Sequence, residues 1–262
     1  MTTSTHNMHG SGSPLSTLAL RRFNFAPWTG LPPIDAAIAS RAPERPDQVG
    51  LWERGVALIL ILLVSPLMLL CALVVKLGSP RGPILYRQER VGLDRRQMSD
   101  GPQLPLAIRD RRRIPGLGRS FTILKFRTMV ADAEKLTGPV WAVGGDPRIT
   151  RVGRVMRQLR LDELPQLFNV LGGHMRLIGP RPERPHFVRQ LAEHIPNYVQ
   201  RLRVLPGITG LAQIEREYDG SVADVRRKVQ YDLFYVQNRS GLLDLKILLR
   251  TIDVMVRGRG AR

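Results

Sequence analysis

The sequence predicts an α+β chain, mainly helical, in which an N-terminal membrane segment precedes a cytosolic domain with a small sheet. Three observations predict it. An uncharged run of 21 residues, 55–75, stands in an otherwise polar chain. Beyond it, apolar residues recur at helical spacing, while only short stretches read as strands. The third observation is charge. The chain holds 40 Lys plus Arg against 22 Asp plus Glu, yet only five basic and four acidic residues precede Gly55. Nearly all of the +18 net charge therefore follows the apolar run, which favours the cytoplasmic side for that part.

Residues 1–50 are rich in Ser, Thr, Gly and Pro and read as a disordered tail. Their start has no apolar core of the kind a cleavable signal peptide needs. The membrane segment, 51–77, has an apolar run of about 31 Å if helical, close to a hydrocarbon core. Ser65–Pro66 stands at its centre. Pro66 offers no N–H to the carbonyl of Leu62, and the Ser65 hydroxyl can reach back to a carbonyl three or four residues earlier. A kinked spanning helix and a re-entrant hairpin both fit. The hairpin's arms would measure about 18 and 15 Å, each near half a bilayer.

The domain proper runs over 78–257. Residues 83–86 and 121–126 read as strands, separated by a basic, Pro/Gly-containing insert loop at 94–118. Helices are predicted over 148–159, 164–171, 183–200, 222–238 and 241–257. The last sets an apolar face against Lys246, Arg250 and Arg257, as a helix on anionic lipid does. Packing on the protein core explains the same pattern. A short basic tail, 258–262, ends the chain. With Cys71 as the single cysteine there is no internal disulfide framework, and five scattered histidines give no zinc pattern.

The chemistry concentrates around Asp162-Glu163. Asp162 is expected at the N-cap of the 164–171 helix, where orphan N–H groups favour an ionised carboxylate and would equally receive a phosphate. Arg157 and Arg160 lie just upstream. An ordinary cap with a dipole-compensating Glu is the plainer reading of this motif alone. Arg181 stands between Pro180 and Pro182, so its planar fork has little backbone freedom to lose on gripping a phosphate. Lys125 and Arg127 put two cations at alternate positions near a strand end. In 206–213, Gly207 and Gly210 are available for positive φ. A carboxylate pair, separated cations and a membrane segment together suit phosphoryl transfer between a soluble diphosphate and a lipid acceptor. No ATP-binding loop signature is present.

The ordered motifs RQERVG (87–92), KFRTM (125–129), DPRITRVGRVMRQLRLDELPQLFNVL (146–171), GPRPE (179–183), PGITGLAQ (206–213) and YDLFYVQNRSGLLDLKILLRTI (231–252) resemble the bacterial sugar transferase family. These are monotopic phosphoglycosyl transferases acting on undecaprenyl phosphate. The resemblance covers about residues 50–257 and makes the domain a catalytic one. It implies transfer of a sugar 1-phosphate from a nucleotide diphosphate sugar, usually a UDP-sugar, at the bacterial inner membrane with the domain on the cytoplasmic face. It implies Asp162 as nucleophile and Glu163 as its partner, associated with Mg²⁺. Arg90, Lys125, Arg127, Arg157, Arg181 and Gln213 fall in motifs expected to bind substrate, with Arg157 and Arg181 near the donor phosphates. Ser65 and Pro66 match the helix-breaking pair of a re-entrant membrane helix. A homodimer is left open.

Three departures stand out. The Lys-Arg pair and Asp common ahead of the membrane helix are replaced here by Val49-Gly-Leu-Trp-Glu53-Arg54. The 94–118 insert is longer than usual, and Ile-Glu-Arg216-Glu217 follows Gln213 in place of a Gly-Arg pair. None of them touches Asp162-Glu163. Two other function classes remain in view: a catalytically inactive membrane scaffold, and a basic nucleic-acid-binding membrane protein. The intact carboxylate pair argues against the first. The positive charge permits the second, but no helix-turn-helix, zinc or RNP signature supports it, so no nucleic-acid partner is expected.

Overall fold

The computed structural model describes residues 47–94, 118–133, 146–215 and 222–256. The expected tail up to residue 46, nearly all of the 94–118 insert, Arg257 and the 258–262 tail lie outside the described residues.

The apolar run forms one helix, α1 (Leu51–Gly78), that continues through Pro66. The Ser65 hydroxyl donates to the Leu62 carbonyl at 2.9 Å, as the sequence predicts, and so serves the acceptor that Pro66 cannot. Two ends of α1 pack on the rest of the chain. Ala57 lies in a cluster with Ile123, Val170 and Met175, and Cys71 and Val75 lie in another with Phe126 and Met156. The other side of the helix, including Ile59, Leu62, Leu63, Leu69 and Leu73, is exposed.

Strands β1 (Leu85–Val91) and β2 (Ser120–Phe126) pair antiparallel, with Tyr86 opposite Lys125 and Arg90 opposite Phe121. The first strand is therefore later and longer than the 83–86 reading. Its polar Arg87-Gln88-Glu89 hid it, because only pairing along β2 makes that stretch extended. Helix α2 (Arg151–Gln158) starts at Thr150, whose side chain accepts from Gly153 N. A 3-10 turn (Leu161–Glu163) then leads into α3 (Gln166–Leu171).

A second, parallel pair, β3 (Arg176–Ile178) with β4 (Gly207–Thr209), has no counterpart in the sequence reading. Three residues per strand are too few to show alternation. It also corrects the role assigned to Gly207 and Gly210. Among the described residues the glycine with positive φ is Gly173. At Gly207 a Cβ would fall 2.1 Å from Gly179 N, and at Gly210 2.2 Å from Gly179 O, so both glycines serve close backbone approach.

Helix α4 (Pro185–His194) is shorter than the predicted 183–200. Asn197 takes φ 62° right after Pro196, and the chain resumes as a 3-10 helix at Tyr198–Arg203. Helices α5 (Leu211–Glu215), α6 (Val222–Asn238) and α7 (Gly241–Val256) follow. Core residues Val188, Ile195, Tyr198 and Val229 knit α4 and α6 together. On α7, Leu243 and Ile247 are buried while Leu242, Leu245 and Ile252 are exposed, so the helix has an apolar face inward and another outward.

Candidate active site

The site is assembled on β2, the turn after α2 and the loop after β3. Asn169 in α3 fastens the first two together. Its Nδ2 donates to Thr122 O at 2.7 Å and its Oδ1 accepts from Leu124 N at 3.0 Å, in place of a neighbouring strand. That fixes the Leu161–Glu163 turn beside Lys125. Arg160, in the left-handed region at φ 58°, redirects the chain out of α2 into the turn. Asp162 is consequently inside a 3-10 turn and not the helix N-cap expected from the sequence; Pro165 holds that position, with no side-chain cap. The reason is Pro165 itself, which suits the first turn of a helix and delays α3 to Gln166.

Asp162 and Glu163 are adjacent, buried and treated differently by their surroundings. Glu163 Oε1 accepts from Lys125 Nζ at 2.8 Å and from Arg181 Nη2 at 2.7 Å. Asp162 has no hydrogen bond or ion pair of this kind among the described residues. Burial pushes the Asp162 carboxyl above its ordinary range, the charge of Glu163 adds to this, and Lys125 and Arg157 only offset it. For Glu163, burial is outweighed by Arg181 and Lys125, which hold the carboxyl well below the usual range. Burial lowers Lys125 while Glu163 opposes the shift. Two neighbouring carboxyls pushed in opposite directions are suited to two different tasks.

Arg181 is more open than Lys125, with 35% of its side chain exposed against 16%. Its loop is held by its carbonyls. Pro180 O accepts from Gly207 N at 3.0 Å, Pro182 O from Arg90 Nη1 at 2.9 Å, and Glu183 O from Val91 N at 2.9 Å. Arg90 also pairs with Glu183 and so works beneath the loop, within electrostatic range of Glu163. Arg157 donates from Nε to Thr128 Oγ1 at 2.9 Å and lies within the field felt by Asp162.

Two residues expected at the site are placed elsewhere. The strand ends at Phe126, so Arg127 does not continue the alternation of Lys125. Its Nη2 donates to Ser79 O at 2.6 Å, just beyond the C-terminal end of α1, and Gly82 leaves room for the guanidinium. Gln213 Nε2 is bound to Ile208 O at 3.0 Å. Neither makes a hydrogen bond or ion pair to the Asp162–Glu163 turn among the described residues. Conversely, Asp47, Glu53, Arg176, Arg201 and Asp232 form buried ion pairs that the sequence reading did not single out. The available signal was a charge inside an apolar stretch, as in Met175-Arg176-Leu177-Ile178, which demands a buried partner.

The carboxylates also bear on metal binding. No group of three or more His, Cys, Asp or Glu able to hold a metal occurs among the described residues. A cation here would therefore draw on substrate oxygens and water as well as protein. Glu163 Oε1 is taken twice, whereas Oε2 has only a 3.4 Å contact to Arg181 Nη1 and keeps capacity for a cation. Hard carboxylate oxygen in a partly open shell suits Mg²⁺.

Against known proteins, the family model described as bacterial sugar transferase matches residues 50–100 and 102–258. The chain belongs to the bacterial sugar transferase family. The match spans every element from α1 to α7 and so contains the residues just described. Among curated members, the UDP-N-acetylgalactosamine-undecaprenyl-phosphate N-acetylgalactosaminephosphotransferase of Aeromonas hydrophila is 44% identical over 206 residues, covering 79% of this chain and 43% of that protein. The UDP-glucose:undecaprenyl-phosphate glucose-1-phosphate transferase of Caulobacter vibrioides is 41% identical, over 76% of this chain and 66% of its own length. An exopolysaccharide production protein of Rhizobium leguminosarum is 35% identical, over 76% of this chain and 91% of its own. The aligned region thus spans less than half of the Aeromonas relative.

Proposed function

We propose that this chain transfers a sugar 1-phosphate from a UDP-sugar to undecaprenyl phosphate, as the first step of assembling a bacterial surface glycan. The observation that carries the reading is the buried Asp162 carboxylate, unpaired among the described residues, beside a Glu163 clamped by Lys125 and Arg181. An unclaimed carboxylate with raised basicity is fit to be a nucleophile. The names of the Aeromonas and Caulobacter relatives supply the substrate classes.

In the reaction, an Asp162 oxygen attacks the β-phosphorus of the donor. The bond from that phosphorus to the bridging oxygen breaks, and UMP leaves with the electron pair. The sugar phosphate is then an acyl phosphate ester on Asp162. A phosphate oxygen of undecaprenyl phosphate attacks the same phosphorus, the bond to Asp162 breaks, and the carboxylate is restored. Lys125 and Arg181, held at Glu163, would meet the negative charge that gathers on the phosphate oxygens, and Arg157 lies within the field felt by Asp162. Glu163, through Oε2, would hold Mg²⁺, which when bound supplies positive charge at the phosphate oxygens.

The lipid acceptor requires a membrane-seated enzyme. The exposed apolar side of α1 and the outward stripe Leu242, Leu245 and Ile252 of α7 support that seat, with anionic lipid meeting the basic residues beside it. Both ends of α1 pack on one domain, Ala57 on Ile123 and Val75 near Phe126. A helix whose two ends touch the same domain is best read as re-entrant, with that domain on the cytoplasmic face of the inner membrane.

The direct test incubates purified protein in lipid nanodiscs with undecaprenyl phosphate and a panel of UDP-sugars. Release of UMP together with a lipid-linked sugar diphosphate is expected for at least one donor. Absence of UMP release from every UDP-sugar would overturn the reading.

A further inference from the structure

The one carbonyl of the 180–183 loop not yet accounted for is that of Arg181 itself. It accepts from Arg201 Nη2 at 2.8 Å. Arg201 is buried and fully occupied. Its Nε and Nη2 both reach Asp232 Oδ2, at 2.9 and 2.6 Å, and Nη1 donates to Tyr198 OH at 2.9 Å. Asp232, on α6, is 2% exposed, so the pair is anchored in the core. Burial raises Asp232, while Arg201 offsets this.

We infer that Arg201, oriented by Asp232, is a positioning residue for Arg181: it holds the main chain of the residue whose guanidinium grips the donor phosphates. This rests on the proposed transferase reaction. The physical case is economy of donors. A lysine or a glutamine at 201 could satisfy Asp232, but only a planar fork with its donors in fixed directions meets Asp232, Tyr198 and the Arg181 carbonyl together. Without the bond the carbonyl of Arg181 loses its partner and the loop is held at three points in place of four. The Arg181 side chain is a third exposed and, among the described residues, has only Glu163 to hold its tip, so its position depends on that backbone. Preorganised charge loses effect steeply when displaced.

The test is a double-mutant cycle on donor turnover, read as UMP release from the UDP-sugar that the wild type uses. Arg201→Lys keeps the charge next to Asp232 and gives up the bond to Arg181 O. It is expected to lower kcat/KM for the donor about tenfold, the scale of one hydrogen bond. In an Arg181→Ala background the same change is expected to have almost no further effect, because the group it positions is gone. An equal loss in both backgrounds would show that Arg201 is merely structural, and would overturn the inference. Asp232→Asn, which preserves shape and removes the charge, provides a second route through the same cycle should Arg201→Lys fail to fold. A wild type that releases no UMP from any donor would refute the transferase reading instead, an outcome distinct from additivity.

Discussion

Glu53 and Arg176 form a buried ion pair at 3.0 Å across 123 positions of sequence, and with it the first turn of α1 is tied to β3. Glu53 also accepts from Leu177 N at 2.8 Å. Asp47 joins from ahead of the helix, meeting Arg176 at 3.4 Å, Arg239 at 2.6 Å and Leu205 N at 2.7 Å. The beginning of α1 is therefore positioned by the same short strand that ends at the Gly179-Pro180-Arg181 loop.

Arg176→Met should destabilise the fold by about 3–5 kcal/mol, because it leaves two buried acids without their common cation. Glu53→Gln, which keeps a hydrogen-bonding side chain, should cost less. Chemical unfolding in detergent micelles checks the order. Equal stability of Arg176→Met and wild type would show that the network adds nothing.

The topology of α1 can be read with cysteine probes. Gln48 and Glu193 are exposed, one just ahead of the helix and one on α4. In a Cys71→Ser background, Gln48→Cys and Glu193→Cys should both be protected from an impermeant thiol reagent on intact cells. Replacing Ser65–Pro66 by Ala–Leu should bias the helix toward spanning and expose the first probe. Labelling of Gln48→Cys without that replacement would mean an ordinary spanning helix.

Asp162→Asn should abolish transfer without loss of folding. In the absence of undecaprenyl phosphate, the wild type should still release a stoichiometric burst of UMP and retain the labelled sugar phosphate on the protein. Detection of the burst with Asp162→Asn would assign the nucleophile elsewhere.

The pH dependence of that burst should expose the environment of Asp162. Attack requires the carboxylate, and its pKa is raised above the ordinary 3.8. The rate should therefore fall, as pH decreases, through a limb lying above that value. Glu163 is lowered from 4.5, so its pairing with Lys125 and Arg181 contributes stability above the unfolded value and loses it only as pH drops through the lower folded value. Activity should disappear at a higher pH than the fold does. Coincident loss of both, followed by circular dichroism, would contradict this.

Glu163→Gln should reduce turnover and weaken the dependence on added Mg²⁺ together, since one neutral oxygen then replaces the carboxylate. Thorough chelation of the wild type should stop UMP release, and Mg²⁺ should restore it. Full activity after chelation would remove the metal from the reaction.

Much of this protein was legible residue by residue. The uncharged run, the Ser65-to-Leu62 hydroxyl bond and the α2 period are local, set by composition and by spacing within one or two turns. Asp162, Glu163, Lys125 and Arg181 were equally legible as candidates, because charged side chains repeated within ordered motifs are a sequence property. Their division of labour was not. Tertiary structure decided that Glu163 meets Lys125 and Arg181 while Asp162 stays unpaired among the described residues, and that Arg127 turns to Ser79 while Gln213 turns to Ile208. Those outcomes depend on where β2 ends and where α3 begins. The β3–β4 pair and the Glu53–Arg176 and Arg201–Asp232 contacts join residues distant in sequence. No local period encodes such contacts; they arise when buried charges must find partners in a packed core.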